Sequence, residues 1–240
     1  MNTDNTRLWH ALGLGPLWRV RAATAAPVDD GVAAPAGAGP ELLDWADLEA
    51  AVAACTACAL HETRTQTVFG VGRRTARWMF IGEAPGAEED ARGEPFVGQA
   101  GRLLDNMLAA AGLGRERDGD EGVYIANVLK CRPPGNRNPE APEVARCAPF
   151  LQRQIALLRP RIIVVMGRFA AQALLSTDAT IASLRGRVHE VGVSQAGGTL
   201  RIPVIVTYHP AYLLRNLADK AKAWDDLLLA RDTYALAASG

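Results

Sequence analysis

The sequence lacks a surplus of charge of either sign and lacks any long apolar run. Of its 240 residues, 26 are Lys or Arg and 26 are Asp or Glu, so the formal net charge is zero. No apolar stretch approaches the roughly 20 residues that a membrane helix needs. Balanced charge does not point to a nucleic-acid partner, but local clusters of cations can still create a binding field. These bulk properties indicate an ordinary soluble enzyme without a membrane span.

Cysteine is scarce, with only four in the chain: Cys55, Cys58, Cys131 and Cys147. Disulfides are rare in a reducing cytosol, so an even count does not imply two bridges. Cys55 and Cys58 have the C-x-x-C spacing, which directs two thiolates toward one centre. Cys131 and Cys147 are far apart in sequence and would have to complete the site through the fold. Four thiolates suit either a structural zinc ion or an iron–sulfur cluster, and the spacing alone does not separate the two.

The chain divides by composition into residues 1–40 and 41–240. Residues 22–40 consist almost entirely of Ala, Gly, Pro, Val and Asp, a composition typical of a flexible linker. A short piece before it, rich in Leu and Trp, could dock on a partner protein. The region around Asp4 has no basic-then-apolar pattern, so we expect no signal peptide and a cytosolic protein. Residues 41–240 have the pattern of one globular domain.

Four short apolar runs predict strands, at residues 78–81, 123–129, 162–166 and 204–207. Helical spacing is found between them, near residues 103–108, 143–158 and 169–175, and again over about 219–236. Alternating strands and helices favour a parallel sheet covered on both faces, in an α/β/α arrangement. Ligands of such sheets bind beyond the carboxyl ends of the strands. The unusual loops lie at those ends, at residues 82–101, 130–139 and 208–216.

The first loop is rich in glycine and crowds four carboxylates into eight residues, from Glu83 to Asp90. Glycines allow a backbone to approach a ligand closely. Crowded carboxylates should raise some of their pKa values, as catalytic acids and bases require. The alternative is a solvated acidic turn at a helix start, where the helix dipole favours carboxylates.

The other two loops contain one polar side chain each that suits a nucleobase. Asn127 offers an acceptor and two donors near a strand end, although a lone Asn there is more often a turn residue. His209 follows a buried strand and precedes a proline, and a neutral imidazole can donate to developing negative charge. Leu213 and Leu214 are candidates for insertion into a base stack, unless they pack inward on a first helical turn.

Taken together, three stretches and the cysteine spacing resemble family-four uracil-DNA glycosylases, the iron–sulfur type. The stretches are GEAPGAEEDARGEPFVGQAGRLL, NVLKCRPPGNRNP and YHPAYLLRN, and the resemblance covers about residues 44–236. It implies a three-layer α/β/α fold with a central four-stranded parallel sheet. It also implies a structural [4Fe–4S] cluster held by Cys55, Cys58, Cys131 and Cys147.

The activity that the resemblance implies is hydrolysis of the bond between uracil and deoxyribose, after the base has left the stack. Phe96 would stack on uracil, Asn127 would read its Watson–Crick edge, and His209 would stabilise charge on O2. A carboxylate, Glu83 or Glu89, would stabilise the sugar cation or orient water. The implied uracil pocket comprises Gly82, Glu83, Ala84, Phe96, Asn127 and His209. The implied DNA contacts are Leu213, Leu214, Arg215, Lys130 and Arg132, with Arg137 as a further cation.

Three alternatives remain open. The first is a glycosylase of the same fold with another base preference, and the second is a non-catalytic, polymerase-associated module. The third is a covalent DNA-binding relative, for which His189 would be the candidate because it follows two arginines. That relative has a longer basic run and a Gln where Glu83 stands, which argues for ordinary turnover. The resemblance implies a monomeric, nucleoid-associated protein of the cytoplasm that acts on single- or double-stranded DNA containing uracil, with a repair or replication partner conceivable for residues 1–40.

Overall fold

A six-stranded sheet forms the centre of the protein in the computed structural model, which describes residues 39–195 and 198–238. The strands are β1 (Val71–Gly72), β2 (Trp78–Gly82), β3 (Val123–Asn127), β4 (Ile162–Met166), β5 (Val188–Gln195) and β6 (Gly198–Thr207). Their order in the sheet is β1-β3-β2-β4-β6-β5. The four middle strands are mutually parallel, and β1 and β5 are antiparallel to their neighbours. The expected four-stranded parallel sheet is therefore confirmed, with an antiparallel strand added at each edge.

Helices cover both faces of the sheet, which gives the three layers that the sequence predicted. The α-helices are Trp45–Ala53, Leu60–Thr63, Ala87–Arg92, Gln99–Ala110, Ala141–Leu158, Arg168–Leu175, Ile181–Leu184, Pro210–Leu213 and Lys220–Ala238. Short 3-10 turns lie at Pro40–Leu42, Gly119–Glu121, Pro134–Asn136 and Leu217–Asp219. Within the described residues, no helix combines the length and apolar character that a membrane span needs.

Period-two alternation within the buried strands divides the core between the two faces of the sheet. Along β2, Met79 and Ile81 pack with residues of the helix Ala141–Leu158 on one face. Trp78 and Phe80 pack on the other face with residues of the helices Gln99–Ala110 and Lys220–Ala238. All five residues of each of the strands β2, β3 and β4 are buried, as strands covered on both faces require.

The division of the chain at residue 40 is not tested, because residues 1–38 lie outside the described residues. The leucine- and tryptophan-rich piece and most of the linker fall in that segment. The described chain begins at residue 39, and its first long helix starts at Trp45, where the Asp44 side chain accepts from the Asp47 N–H at 2.9 Å. An Asp in that position satisfies one of the free N–H groups at a helix start.

Candidate active site

A cavity of about 440 Å³ opens at the carboxyl ends of the parallel strands. It lies where β2, β3 and β6 run into the three loops that the sequence singled out. The sequence-predicted residues that line it are Glu83, Ala84, Glu89, Phe96, Asn127, Arg137, His209 and Arg215. The fold thus brings together side chains more than 120 positions apart in sequence, at the edge where ligands of such sheets bind.

Asn127, the last residue of β3, is the polar group deepest in this site. Its side chain is only 2% exposed, and its Oδ1 has no hydrogen-bond partner among the described residues. A buried amide oxygen without a donor costs free energy, and such groups are rare in folded proteins. Asn127 faces the cavity, so a ligand with an N–H group can supply the missing donor.

Gly82, the last residue of β2, lies directly beside Asn127 in register. A Cβ at Gly82 would come within 2.4 Å of Asn127 Oδ1 and 2.6 Å of Phe96 Cζ. Gly82 does not line the cavity itself, but the absence of its side chain leaves the space in which Asn127 and Phe96 meet.

Phe96 is held in an uncommon backbone conformation, with φ at 56°. Two contacts fix the backbone of the loop at Phe96. A Cβ at Gly101 would come within 1.8 Å of Phe96 O, and the Arg115 guanidinium donates to the carbonyls of Pro95 and Phe96 at 3.1 and 3.2 Å. The Phe96 ring stacks near the His209 imidazole, with centroids 5.5 Å apart and planes at 30°. Arg115 lies outside every motif of the sequence, so its contact with this loop was not predicted.

His209 caps the short helix Pro210–Leu213, and its Nδ1 accepts from the Ala211 N–H at 3.1 Å. Burial lowers the pKa of the imidazole to about 4, with Glu89 opposing and Arg215 adding to the shift. The ring is therefore neutral at physiological pH. Since Nδ1 accepts, the proton resides on Nε2, which leaves that nitrogen as a hydrogen-bond donor.

The two candidate carboxylates have different environments. Burial raises the pKa of Glu83 to about 7, and the Arg168 charge partly opposes the rise. The expectation that crowding by neighbouring carboxylates raises a pKa in this loop is wrong for Glu83, because burial alone raises its pKa. Glu89 accepts from the N–H groups of Gly86, Val97 and Gly98 at 3.1, 3.1 and 3.2 Å. It ties the two ends of the loop together, which is a positioning role.

Two expected DNA contacts are wrong. Leu213 is fully buried, with 0% exposure, so the inward-packing alternative holds for it, whereas Leu214 is 38% exposed. Lys130 is 1% exposed, and its Nζ donates to Asn127 O at 2.8 Å and to Gln154 Oε1 at 2.6 Å. A cation in that position cannot reach a phosphate of DNA. Lys130 instead stabilises the backbone at Asn127.

The remaining cations surround the mouth of the cavity. Arg137 and Arg215 line it and are exposed, and Arg132 is half-buried with its Nε donating to Asn136 Oδ1 at 2.7 Å. The Arg137 guanidinium makes a bidentate ion pair with Glu143, whose side chain is only 8% exposed. Pro133, Asn136 and Tyr212 also line the cavity, and the sequence analysis assigned them no role.

His189 lies away from this cavity. It belongs to the edge strand β5, pairs with Val204, and its Nε2 is 2.6 Å from Leu184 O. It is not among the residues that line the cavity. The placement gives no support to a covalent role for His189.

The four cysteines border one small cavity on the other side of the Asn127 loop. Two donors point at the sulfurs: Lys130 N–H lies 3.3 Å from Cys147 Sγ, and Arg64 Nη1 lies 3.1 Å from Cys131 Sγ. Burial raises the pKa of the Cys147 thiol to about 11, so a thiolate there requires a positive centre beside the sulfur. No three Cys, His, Asp or Glu side chains of the described residues are grouped as ligands of a single ion.

Comparison with known proteins identifies the family. The model of the uracil DNA glycosylase superfamily matches residues 69–228. A type-4 uracil-DNA glycosylase of Archaeoglobus fulgidus is 47% identical over 172 residues, which cover 70% of this chain and 82% of the relative. One of Thermotoga maritima is 43% identical over 169 residues, with the same coverage of 70% and 82%. A type-5 uracil-DNA glycosylase of Pyrobaculum aerophilum is 35% identical over 156 residues, 60% of this chain and 66% of the relative.

The family model spans 160 of the 240 residues and includes the strands and loops that build the cavity. Identity and coverage are both higher for the two type-4 relatives than for the type-5 relative. The chain belongs to the uracil-DNA glycosylase superfamily and, within it, to the type-4 uracil-DNA glycosylases.

Proposed function

We propose that the cavity is a uracil pocket and that the enzyme hydrolyses the N-glycosidic bond of uracil in DNA, leaving an abasic site. The observation that carries this proposal is the buried Asn127 Oδ1 without a donor, at the wall of a cavity large enough for one base. Uracil N3–H is such a donor. In cytosine N3 is an acceptor, so a cytosine would leave the Asn127 oxygen unpaired.

The base has to leave the stack before it can enter a pocket of this kind. Phe96, locked from both sides, offers an apolar ring face for the flipped base. The neutral His209 has Nε2–H free to donate to the uracil O2 as negative charge collects there during bond cleavage. A donor aimed at developing charge lowers the barrier without a proton transfer.

Glu83 is the carboxylate assigned to the sugar side of the reaction. It lines the cavity, and its pKa near 7 means that both protonation states are populated at neutral pH. In the ionised form it stabilises the positive charge that develops on deoxyribose or orients the attacking water. Glu89 has a positioning role in the loop, because its oxygens already accept from three backbone N–H groups.

The cations at the mouth of the cavity would contact the DNA backbone. Arg137 and Arg215 are exposed there, and the ion pair with Glu143 fixes the Arg137 guanidinium in place. Leu214, rather than Leu213, is the exposed side chain available to fill the gap left by a flipped base.

The cysteines would hold an iron–sulfur cluster: Cys55, Cys58, Cys131 and Cys147 supply four thiolates, and two N–H donors lie next to the sulfurs. Such a cluster would join the N-terminal helical segment to the loop after Asn127 and stabilise the fold. The purified protein should be brown and contain iron and sulfide. A colourless protein with one zinc ion would refute the cluster and leave the glycosylase assignment untouched.

The test of the activity is a single-turnover assay on oligonucleotides that carry one uracil, thymine, cytosine or hypoxanthine. Alkaline strand cleavage at the uracil position alone supports the proposal. Cleavage at another base in preference to uracil would replace the substrate assignment, and a heat-stable protein–DNA adduct would point to the covalent relative. No product of either kind would favour a non-catalytic module.

A further inference from the structure

A second cleft, of about 580 Å³, lies at the end of the sheet opposite the uracil pocket. Its location follows from the strands: Arg77 directly precedes β2 and Arg161 directly precedes β4, whereas the pocket lies beyond their carboxyl ends. A five-residue strand is about 17 Å long, so the two sites are separated by at least that distance. The cleft is lined by five arginines, namely Arg74, Arg77, Arg159, Arg161 and Arg201.

The positive charge of this cleft is only partly neutralised. None of the described residues that line it is acidic. Arg74 pairs with Glu49 and Arg201 pairs with Glu190, both outside the lining. Within the described chain, Arg77, Arg159 and Arg161 have no carboxylate oxygen within 4.0 Å, and the Arg161 guanidinium lies 5.9 Å from the ring centre of Tyr234. Arg161 also has a hydrogen-bonding contact with the Tyr234 side chain, which is neutral. The charge of these three guanidinium groups is therefore not neutralised by a carboxylate of the described chain and is available to an anion.

Regular secondary structure fixes the backbone positions of three of these arginines. Arg161 N–H donates to Arg77 O at 2.8 Å, so the two residues enter neighbouring strands about 4.8 Å apart. Arg159 ends the helix Ala141–Leu158 in a left-handed conformation, with φ at 51°, and only Pro160 separates it from Arg161. The result is a short row of cations across the strand entries, built on a rigid frame.

We propose that this arginine cleft binds the phosphodiester backbone of a second DNA segment while the first segment lies across the mouth of the uracil pocket. A DNA backbone is a continuous row of phosphate anions, and guanidinium groups pair with phosphate oxygens in a bidentate manner. None of the large exposed hydrophobic side chains of the described residues lines the cleft, so a protein partner would find no apolar anchor there. Zero net charge means that affinity for DNA must come from local clusters of this kind.

The consequence is an enzyme that contacts two DNA segments, or two stretches of one folded-back molecule, at opposite ends of its sheet. The test is co-capture, with all DNA free of uracil so that no turnover occurs. One duplex is fixed to beads, full-length protein is added at low salt, and retention of a second, fluorescent duplex is measured. Light scattering under the same conditions establishes that the protein remains monomeric, so that retention reports two sites on one chain.

The decisive variants are Arg77→Gln with Arg159→Gln, compared with the control Arg231→Gln. Arg231 is exposed on the helix Lys220–Ala238 and lines neither cleft. We expect the double variant to retain about tenfold less of the second duplex, from the loss of two phosphate contacts, and the control to behave as wild type. Single-turnover excision of uracil from a short oligonucleotide should be equal in all three proteins, which separates this site from the pocket.

Three results would overturn the proposal. The first is a wild-type protein that retains no second duplex, and the second is a double variant that retains as much as wild type does. The third is displacement of the fluorescent duplex by poly-glutamate as effectively as by unlabelled DNA at equal charge concentration, because the cleft would then not select phosphodiesters over carboxylates.

Discussion

Gly82 and Asn127 are register partners at the ends of β2 and β3, and a Cβ on Gly82 would lie 2.4 Å from Asn127 Oδ1. The same Cβ would lie 2.6 Å from Phe96 Cζ. The amide proposed to read the base and the ring proposed to stack on it therefore share a space that only glycine leaves open. The geometry of the proposed pocket therefore depends on Gly82, a residue that does not itself line the cavity.

The substitution Gly82→Ala should abolish most uracil excision while the protein still folds. A methyl group at that position has to push aside Asn127 or Phe96, and a misplaced hydrogen-bonding group costs roughly 100-fold in rate. Single-turnover rates and thermal unfolding measure the two effects. Gly192→Ala, in the edge strand β5, is the control because its Cβ would only approach the end of the Thr199 side chain. Equal rates for Gly82→Ala and wild type would show that the pocket has another geometry.

Glu83→Gln should lower the rate and flatten its dependence on pH. The pKa of Glu83 is raised to about 7, so an essential carboxylate makes the wild-type rate increase as pH rises through 7. Glu83→Gln has no carboxyl group to ionise, so it should be about 100-fold slower than wild type at pH 8. Glu88→Gln, an exposed neighbour in the same loop, should match wild type. A rate increase through pH 7 that persists in Glu83→Gln would assign the titration to another group.

The same pKa also predicts how Glu83 affects stability. The folded protein binds more protons at Glu83 than the unfolded chain between pH 4.5 and about 7, so this group lowers stability as pH rises across that window. Glu83→Gln should therefore unfold at a higher temperature than wild type at pH 8 and at a similar temperature at pH 4.5. A variant that is less stable at pH 8 would contradict the burial of the charge.

His209 should titrate near pH 4 rather than near 6.5, because burial disfavours its cation. Nitrogen NMR of the imidazole should show the neutral form with the proton on Nε2 at pH 7. Since the folded pKa lies below the unfolded value, His209 contributes stability above pH 6.5 that is lost as pH falls toward 4. His209→Gln serves to assign the signal. Titration near 6.5 would mean that the ring is solvated and that a cation takes part at neutral pH.

Leu213 and Leu214 should behave oppositely on truncation. Leu213→Ala removes a fully buried side chain and should cost about 2–5 kcal/mol in the free energy of unfolding. Leu214→Ala should change stability by less than about 0.5 kcal/mol and should slow excision from duplex DNA more than from single strands. Denaturant unfolding and paired excision assays measure both. A stability loss confined to Leu214→Ala would reverse the assignment.

The four parallel strands were predictable because each is a continuous apolar run, which is what burial on both faces demands. The edge strands were not. β1 is only the two residues Val71–Gly72, and β5 exposes every second residue, so neither presents a continuous apolar run. The loops of the site were found because glycine, proline and polar residues concentrate there.

The predictions that are wrong or missing concern residues whose positions are set by contacts with distant parts of the chain. Lys130 looks like a surface cation in sequence, but the fold buries it against Asn127 O and Gln154. Which of two adjacent leucines points inward depends on how the helix Pro210–Leu213 docks, and Leu213 is the buried one. Arg115 carries no local signal, because its role is to hold two backbone carbonyls that lie 19 and 20 positions away.

The most direct test of the account is the single-turnover rate of uracil excision by Asn127→Ala, compared with wild type on the same uracil oligonucleotide. We propose that the unpaired Oδ1 of Asn127 selects the base, so its removal should slow excision at least about 100-fold while the thermal unfolding curve and any visible absorption stay as in wild type. An equally fast, equally stable Asn127→Ala protein would show that the base is recognised elsewhere and would contradict the proposed pocket.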